Sequence, residues 1–141
     1  MGDIPSTSKM ISTIILRPEP GEDLEPETDF DIEVQIENLV AGSFTNPKNT
    51  YYAAPQQLED GKVIGHTHIT IQSLGGDIKT QTPPKADEFV FFKGLNDVGD
   101  GNGGLSVTVE GGLPPGVYRV CTMTAASNHQ PVMMPVSRPT Q

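Results

Sequence analysis

Three histidines, His66, His68 and His129, are the residues of this chain best suited to chemistry, and they fall in two short stretches, GHTHITIQ (65–72) and SNHQPV (127–132). A His-x-His on an extended strand sends both imidazoles from the same face, one pleat apart. His129 lies just past a later apolar run. Imidazole is a ligand for both copper and zinc, so two rings from one strand and a third from a neighbouring segment would make a three-nitrogen site for either metal. Asn128 stands beside the third ring, and Met133 and Met134 follow closely, with thioethers suited to Cu(I). The same residues have two other uses: a histidine–amide pair commonly braces a loop by hydrogen bonding, and imidazoles also contact organic ligands. His-x-His is a weak pattern, and no cysteine or carboxylate stands at ligand spacing. At this level brace, metal site and organic-ligand contact all remain open.

The other candidate chemistry is thinner. DVGDGNGG (97–104) offers Asp97, Asp100 and Asn102 among glycines, but its spacing lacks the alternation and closing glutamate of a calcium loop, so a hairpin turn is expected. The acidic segment PEPGEDLEPETD (18–29) reads as a solvated connection, with calcium binding as its alternative. Cys121, the single cysteine, excludes an internal disulfide and, with no basic neighbour, reads as a small buried hydrophobe. No nucleophile elbow, phosphate loop, His-Glu-x-x-His or dinucleotide fingerprint occurs. Paired carboxylates depend on tertiary distance, but most acids here fall on one strand's wet face and the adjoining loop. The chain reads as non-catalytic.

Composition narrows the partners. A net charge of −9 with only nine Lys and Arg argues against nucleic acid, whose phosphates must be neutralised. No apolar run approaches the roughly 20 residues of a membrane span. With no tryptophan and 6% aromatics, a carbohydrate platform would rest on few rings. No charged-then-apolar leader opens the sequence, so its N-terminus does not indicate a compartment.

The elements that must position the histidines follow from period-two patterning. Phe30, Ile32, Val34 and Ile36 alternate with Asp31, Glu33, Gln35 and Glu37, a strand with one wet face. Further strands are expected at 10–17, 63–72, 88–95, 105–110 and 117–126, with a short edge strand at 131–136 whose prolines suit an edge. On 63–72, Thr67, Ile69 and Ile71 share one face, so His66, His68, Thr70 and Gln72 point away from the core, toward solvent or a covering loop. Residues 40–62 show no convincing period, and a connection of that length is usually functional or locally folded. Tyr51 and Tyr52 in its middle are candidates for packing it down or for ligand contact.

LPPGVYRV is the most specific fold signal: a Pro-Gly turn runs into a strand with a tyrosine near its start, the pattern of a tyrosine corner. Gly116 and Tyr118 are therefore expected as structural residues. Seven strands and this corner give an immunoglobulin-like (Greek-key) β-sandwich over residues 9–137, with flexible termini at 1–8 and 138–141; a cupredoxin-like or jelly-roll sandwich is the alternative.

The stretches IPSTSKMISTII, FTNPKNTYYAAPQQL, GHTHITIQ, FFKGLNDVGDGNGGL and GLPPGVYRVCTMTAASNHQPVMMPV resemble a family of uncharacterised fungal secreted proteins, from about residue 4 to 136. The resemblance implies an extracellular protein with an export signal and further sequence outside this core. A weaker similarity, carried by Gly65, His66, His68, Gly116, Tyr118, Asn128, His129 and Pro131, runs to small bacterial periplasmic domains. The expectation is a secreted, non-catalytic binding or interaction module with a surface at the three histidines, Asn128 and the Tyr51–Tyr52 loop. Alternatives are a copper or zinc protein, or a cell-wall polysaccharide binder or enzyme.

Overall fold

The structure, a computed structural model, describes residues 2–45 and 55–136. Among these residues eight strands follow a 3-10 turn at Thr7–Lys9: β1 (Ser12–Arg17), β2 (Phe30–Glu37), β3 (Leu39–Val40), β4 (Leu58–Glu59), β5 (Lys62–Gly75), β6 (Phe91–Leu95), β7 (Gly104–Val109) and β8 (Val117–Ala126). They form two sheets, β1-β2-β7 and a second built around β5, which pairs with β3, β4, β6 and β8. The chain is an all-β sandwich. Among the described residues no helix is long and apolar enough to cross a membrane.

The alternation in the sequence becomes the sandwich interior. Ile32, Val34 and Ile36 of β2 and Leu105, Val107 and Val109 of β7 pack against Ile69 and Ile71 of β5 and Leu95 of β6. Burying an isoleucine fully is worth about 1.5–3 kcal/mol, so these side chains fix which face of each strand points inward. Asn38 takes a left-handed conformation (φ 62°) after β2, where its amide donates to the Met10 carbonyl at 2.9 Å. That corner carries the chain from the first sheet to the second, a position asparagine tolerates better than most residues.

Six of the seven expected strands form, and the differences have local causes. Residues 131–136 make only an isolated bridge, Ala125 with Pro131. Pro131 and Pro135 bring no N–H to a ladder, and Met133 N–H instead donates to Gln56 Oε1 at 2.9 Å. The strand expected from residue 88 begins at Phe91, because the Glu88 N–H closes a turn onto Lys85 O. The 97–104 segment is not a hairpin: β6 pairs with β5 and β7 with β2, so this loop crosses between the sheets. The region 40–62 holds β3 and the β4–β5 hairpin, closed by Asp60 (φ 51°) and Gly61 (φ 79°). Both residues at positive φ is the Asp-Gly geometry that favours tight hairpins.

The segment ahead of β1, expected to trail, is tied down. Pro5 is buried, Asp3 N–H donates to Gln56 O at 2.8 Å, and Gln56 Nε2 returns a bond to Asp3 O at 2.8 Å and another to Met133 O at 3.0 Å. Buried Gln56 thus joins the chain's start to the segment after β8. The Tyr118 hydroxyl donates to Pro114 O at 2.7 Å, with Gly116 packed alongside. Replacing Tyr118 by Phe should lower unfolding free energy by about 1 kcal/mol, the net worth of one hydrogen bond. Ile69→Ala, which opens a cavity between the sheets, should lower it by roughly 3 kcal/mol. Urea melts of the two variants check both values and their order.

Candidate metal centre

The site lies on the outer face of the second sheet, at the start of β5. Gly65 pairs with Ala126 and His66 with Ala125. A Cβ at Gly65 would lie 2.1 Å from the Ala125 carbonyl oxygen, so only glycine permits the strands to close here. Two segments then fold over this end. Ser43 N–H donates to Gly65 O at 3.1 Å, Thr45 N–H to Ser127 O at 2.7 Å, and the Ser43 and Ser127 hydroxyls bond at 2.7 Å. The face that parity turns away from the core is therefore roofed, and His66 is fully buried while His68 is half-buried.

His129 reaches the same place from the turn after β8. Its backbone is left-handed (φ 67°), its N–H donates to Ala126 O at 3.0 Å, and Asn128 Oδ1 accepts from Gln130 N–H at 3.0 Å. A non-glycine residue held at positive φ is uncommon, and such strain tends to collect at functional positions. Asn128 is thus a turn-forming amide; its Nδ2 donates to Gln130 Oε1 at 3.1 Å.

The three rings converge. Each offers one ligand nitrogen, and these nitrogens lie within 4.8 Å of one another. The His66 ring stands edge-to-face against His68 and against His129, both at 4.8 Å between centroids. Backbone carbonyls fix the tautomers: His66 Nδ1 faces Ser43 O at 3.0 Å, His68 Nδ1 faces Met123 O at 3.2 Å, and His129 Nε2 faces Thr45 O at 3.0 Å. A carbonyl only accepts, so each facing nitrogen carries the proton. In a neutral ring the remaining nitrogen is a lone-pair donor: Nε2 in His66 and His68, Nδ1 in His129. Metal-ligating histidines are oriented in this way, with the second nitrogen held by a carbonyl or carboxylate. His66 Nε2 is buried with no hydrogen-bond partner among the described residues, and so is Thr45 Oγ1 in the roofing loop. Around a tetrahedral ion with bonds of about 2.0–2.1 Å, ligand nitrogens sit about 3.4 Å apart, so small ring rotations would bring the set into range.

Burial sets the electrostatics. It lowers the His66 pKa from 6.5 to about 4, against the Ser43 carbonyl bond that favours the charged ring. His68 is lowered for the same first reason. Both effects hold the rings neutral, the form in which imidazole binds metal.

Tyr51 and Tyr52 lie outside the described residues. Met133 is occupied by Gln56 through its backbone. Asp100 in the 97–104 loop accepts from the N–H groups of Asn102 at 2.7 Å and Gly104 at 2.9 Å, which holds its carboxyl below the usual range and commits it to the turn. Cys121 is half-buried on β8. Three residues around the rings escaped sequence reasoning. Phe92 packs on His68 at 5.4 Å, Phe44 stands 6.2 Å from His66, and Met123 is the direct cross-strand partner of His68. Only the β5–β6 and β5–β8 registers place Phe92 and Met123 there. Gly94, across from His68, leaves the ring edge uncrowded.

Residues 13–141 match the CLU5d N-terminal domain, which is most of the sequence. The chain belongs to that family. A Colletotrichum graminicola relative named "Pathogenicity cluster 5 protein d" is 52% identical over 139 residues, covering 98% of this chain and 29% of the relative. The chain therefore spans under a third of the curated relative it matches. No solved structure matches it.

The histidine burial has a consequence for stability. In the unfolded chain His66 binds a proton below about pH 6.5, whereas the folded domain resists doing so until about pH 4. Stability should therefore be full above pH 6.5 and fall as pH drops toward 4, by up to about 3 kcal/mol from this group. His68 adds in the same direction. Urea midpoints measured at pH 7.5 and 4.5 should differ accordingly, and His66→Phe should flatten the dependence.

Proposed function

We propose that this chain is an extracellular, non-catalytic module that binds one copper or zinc ion through His66 Nε2, His68 Nε2 and His129 Nδ1. The observation that carries this reading is the buried His66 Nε2. A loop brace accounts for the nitrogens that face carbonyls, but among the described residues it gives this lone pair nothing to bind, and leaving a buried polar atom unsatisfied costs about 1–3 kcal/mol. A metal ion between the rings would satisfy it and draw on the tautomers already set by Ser43, Met123 and Thr45. The left-handed backbone of His129 supports the same reading, because the turn accepts strain to deliver that ring. The relative's name places that protein in a pathogenicity cluster and names no ligand. Export of this chain rests on the resemblance to secreted fungal proteins.

Calorimetric titration of the purified domain with Zn(II) and Cu(II) should give one ion per chain, and saturating metal should raise the melting temperature. His66→Ala should abolish uptake. His129→Asn, which keeps a residue tolerant of positive φ, should leave the domain folded while weakening metal binding about 100-fold or more. Absence of uptake at micromolar metal by the folded wild-type chain would return the histidines to a structural brace.

A further inference from the structure

Resting on the three-histidine reading, we infer that the resident ion is Cu(I) and that Met123 supplies its thioether as the fourth ligand. Four observations converge on this. The first is position. Met123 is the Cα partner of His68 on β8, so its side chain leaves the same outer face directly beside that ring. Opposed residues of an antiparallel pair have Cβ atoms about 4.5–5.5 Å apart, within reach of an unbranched thioether chain. Met123 is 49% exposed, a large apolar side chain left out of the core at the mouth of the cluster.

The second is charge. The group that gathers here consists of His66, His68 and His129, with no carboxylate or thiolate among the described residues able to join it. Every donor, Met123 included, is neutral. A divalent ion in such a site keeps both charges uncompensated next to a fully buried ring. The cost of transferring an ion from water rises with the square of its charge, so a monovalent ion costs about a quarter as much.

The third is donor softness. Imidazole serves copper and zinc alike, but thioether sulfur selects the soft Cu(I) ion. The fourth is the surround. Phe92 packs on His68, Phe89 packs on Phe92 at 5.6 Å, and Phe44 flanks His66. These rings make an apolar rim, which favours the lower charge state. Gly94 keeps the His68 edge open on the side of β6, where an added Cβ would stand 3.4 Å from the imidazole. Cys121 stands one pleat beyond Met123 on β8, opposite Thr70, and belongs to the next rung rather than to the cluster.

The experiment is an anaerobic competition titration of the full chain with a chromophoric Cu(I) chelator, alongside Zn(II) titration, in a Cys121→Ser background that removes thiol binding. Met123→Leu keeps size and apolar character at an exposed site, and its apo melting temperature checks the fold. The expected result is Cu(I) held more tightly than Zn(II), about tenfold or more weakening of Cu(I) by Met123→Leu with Zn(II) binding unchanged, and a sulfur scatterer in the copper absorption fine structure that this variant loses. Cu(I) affinity within twofold of wild type in Met123→Leu, or Zn(II) preferred over Cu(I), would overturn the inference while leaving the three-histidine site intact. Failure of the wild-type chain to bind either ion would overturn both.

Discussion

The pairing of β5 with β8 is the constraint on which the rest of this molecule depends. The two strands run antiparallel from Gly65↔Ala126 to Gly75↔Val117, and this one ladder assigns both faces of the second sheet. On the inner face it brings Ile69 and Ile71 against β2 and β7; on the outer face it brings His66 and His68 to the end of β8, from which the chain turns back with His129. Because a one-residue slip would exchange the faces, hydrophobic burial between the sheets holds the histidines outward as firmly as it holds the isoleucines inward. Gly65 is the local condition for this, since any side chain there would strike the Ala125 carbonyl.

The site is built mainly from backbone. Three carbonyls, from Ser43 and Thr45 in the loop after β3 and from Met123 on β8, each meet an imidazole nitrogen and so set which nitrogen donates. The roof that supplies two of them is itself stitched to the β5 and β8 ends by Ser43, Thr45 and Ser127. Burial, neutral rings and fixed tautomers are therefore one arrangement with a common cause, the closure of these segments over a small-residue strand end. A cavity of about 620 Å³ between the 18–26 loop and the Pro114–Val120 segment borders Ile71, toward the other end of β5, and shares no residue with the histidines.

Much of the frame was legible in the sequence. β2 and β7 alternate so strictly that their extents and buried faces were evident, and the tyrosine corner announced itself through Leu113, Pro114, Gly116 and Tyr118. The Asp60-Gly61 hairpin went unread, because its first strand is two residues long and shows no period. What failed were judgments that depend on partners. Residues 131–136 have the apolar composition of a strand, but proline and the competing Gln56 side chain leave only a bridge. The 97–104 segment has the glycine-rich chemistry of a tight turn, but its flanking strands belong to different sheets, which composition cannot encode.

The sequence by itself determined the fold class, the parity that turns His66 and His68 away from the core, and the candidacy of the three histidines, because these follow from period-two patterning and residue chemistry along a short stretch of chain. Only the tertiary structure decided that the outward face is roofed, that His129 arrives from a left-handed turn, that carbonyls set the tautomers, and that Phe92 and Met123 complete the surroundings. Those facts depend on strand register and on segments far apart in sequence meeting in space, and a linear pattern holds no record of either. The buried Nε2 of His66, the atom that separates a metal site from a brace, belongs wholly to the second group.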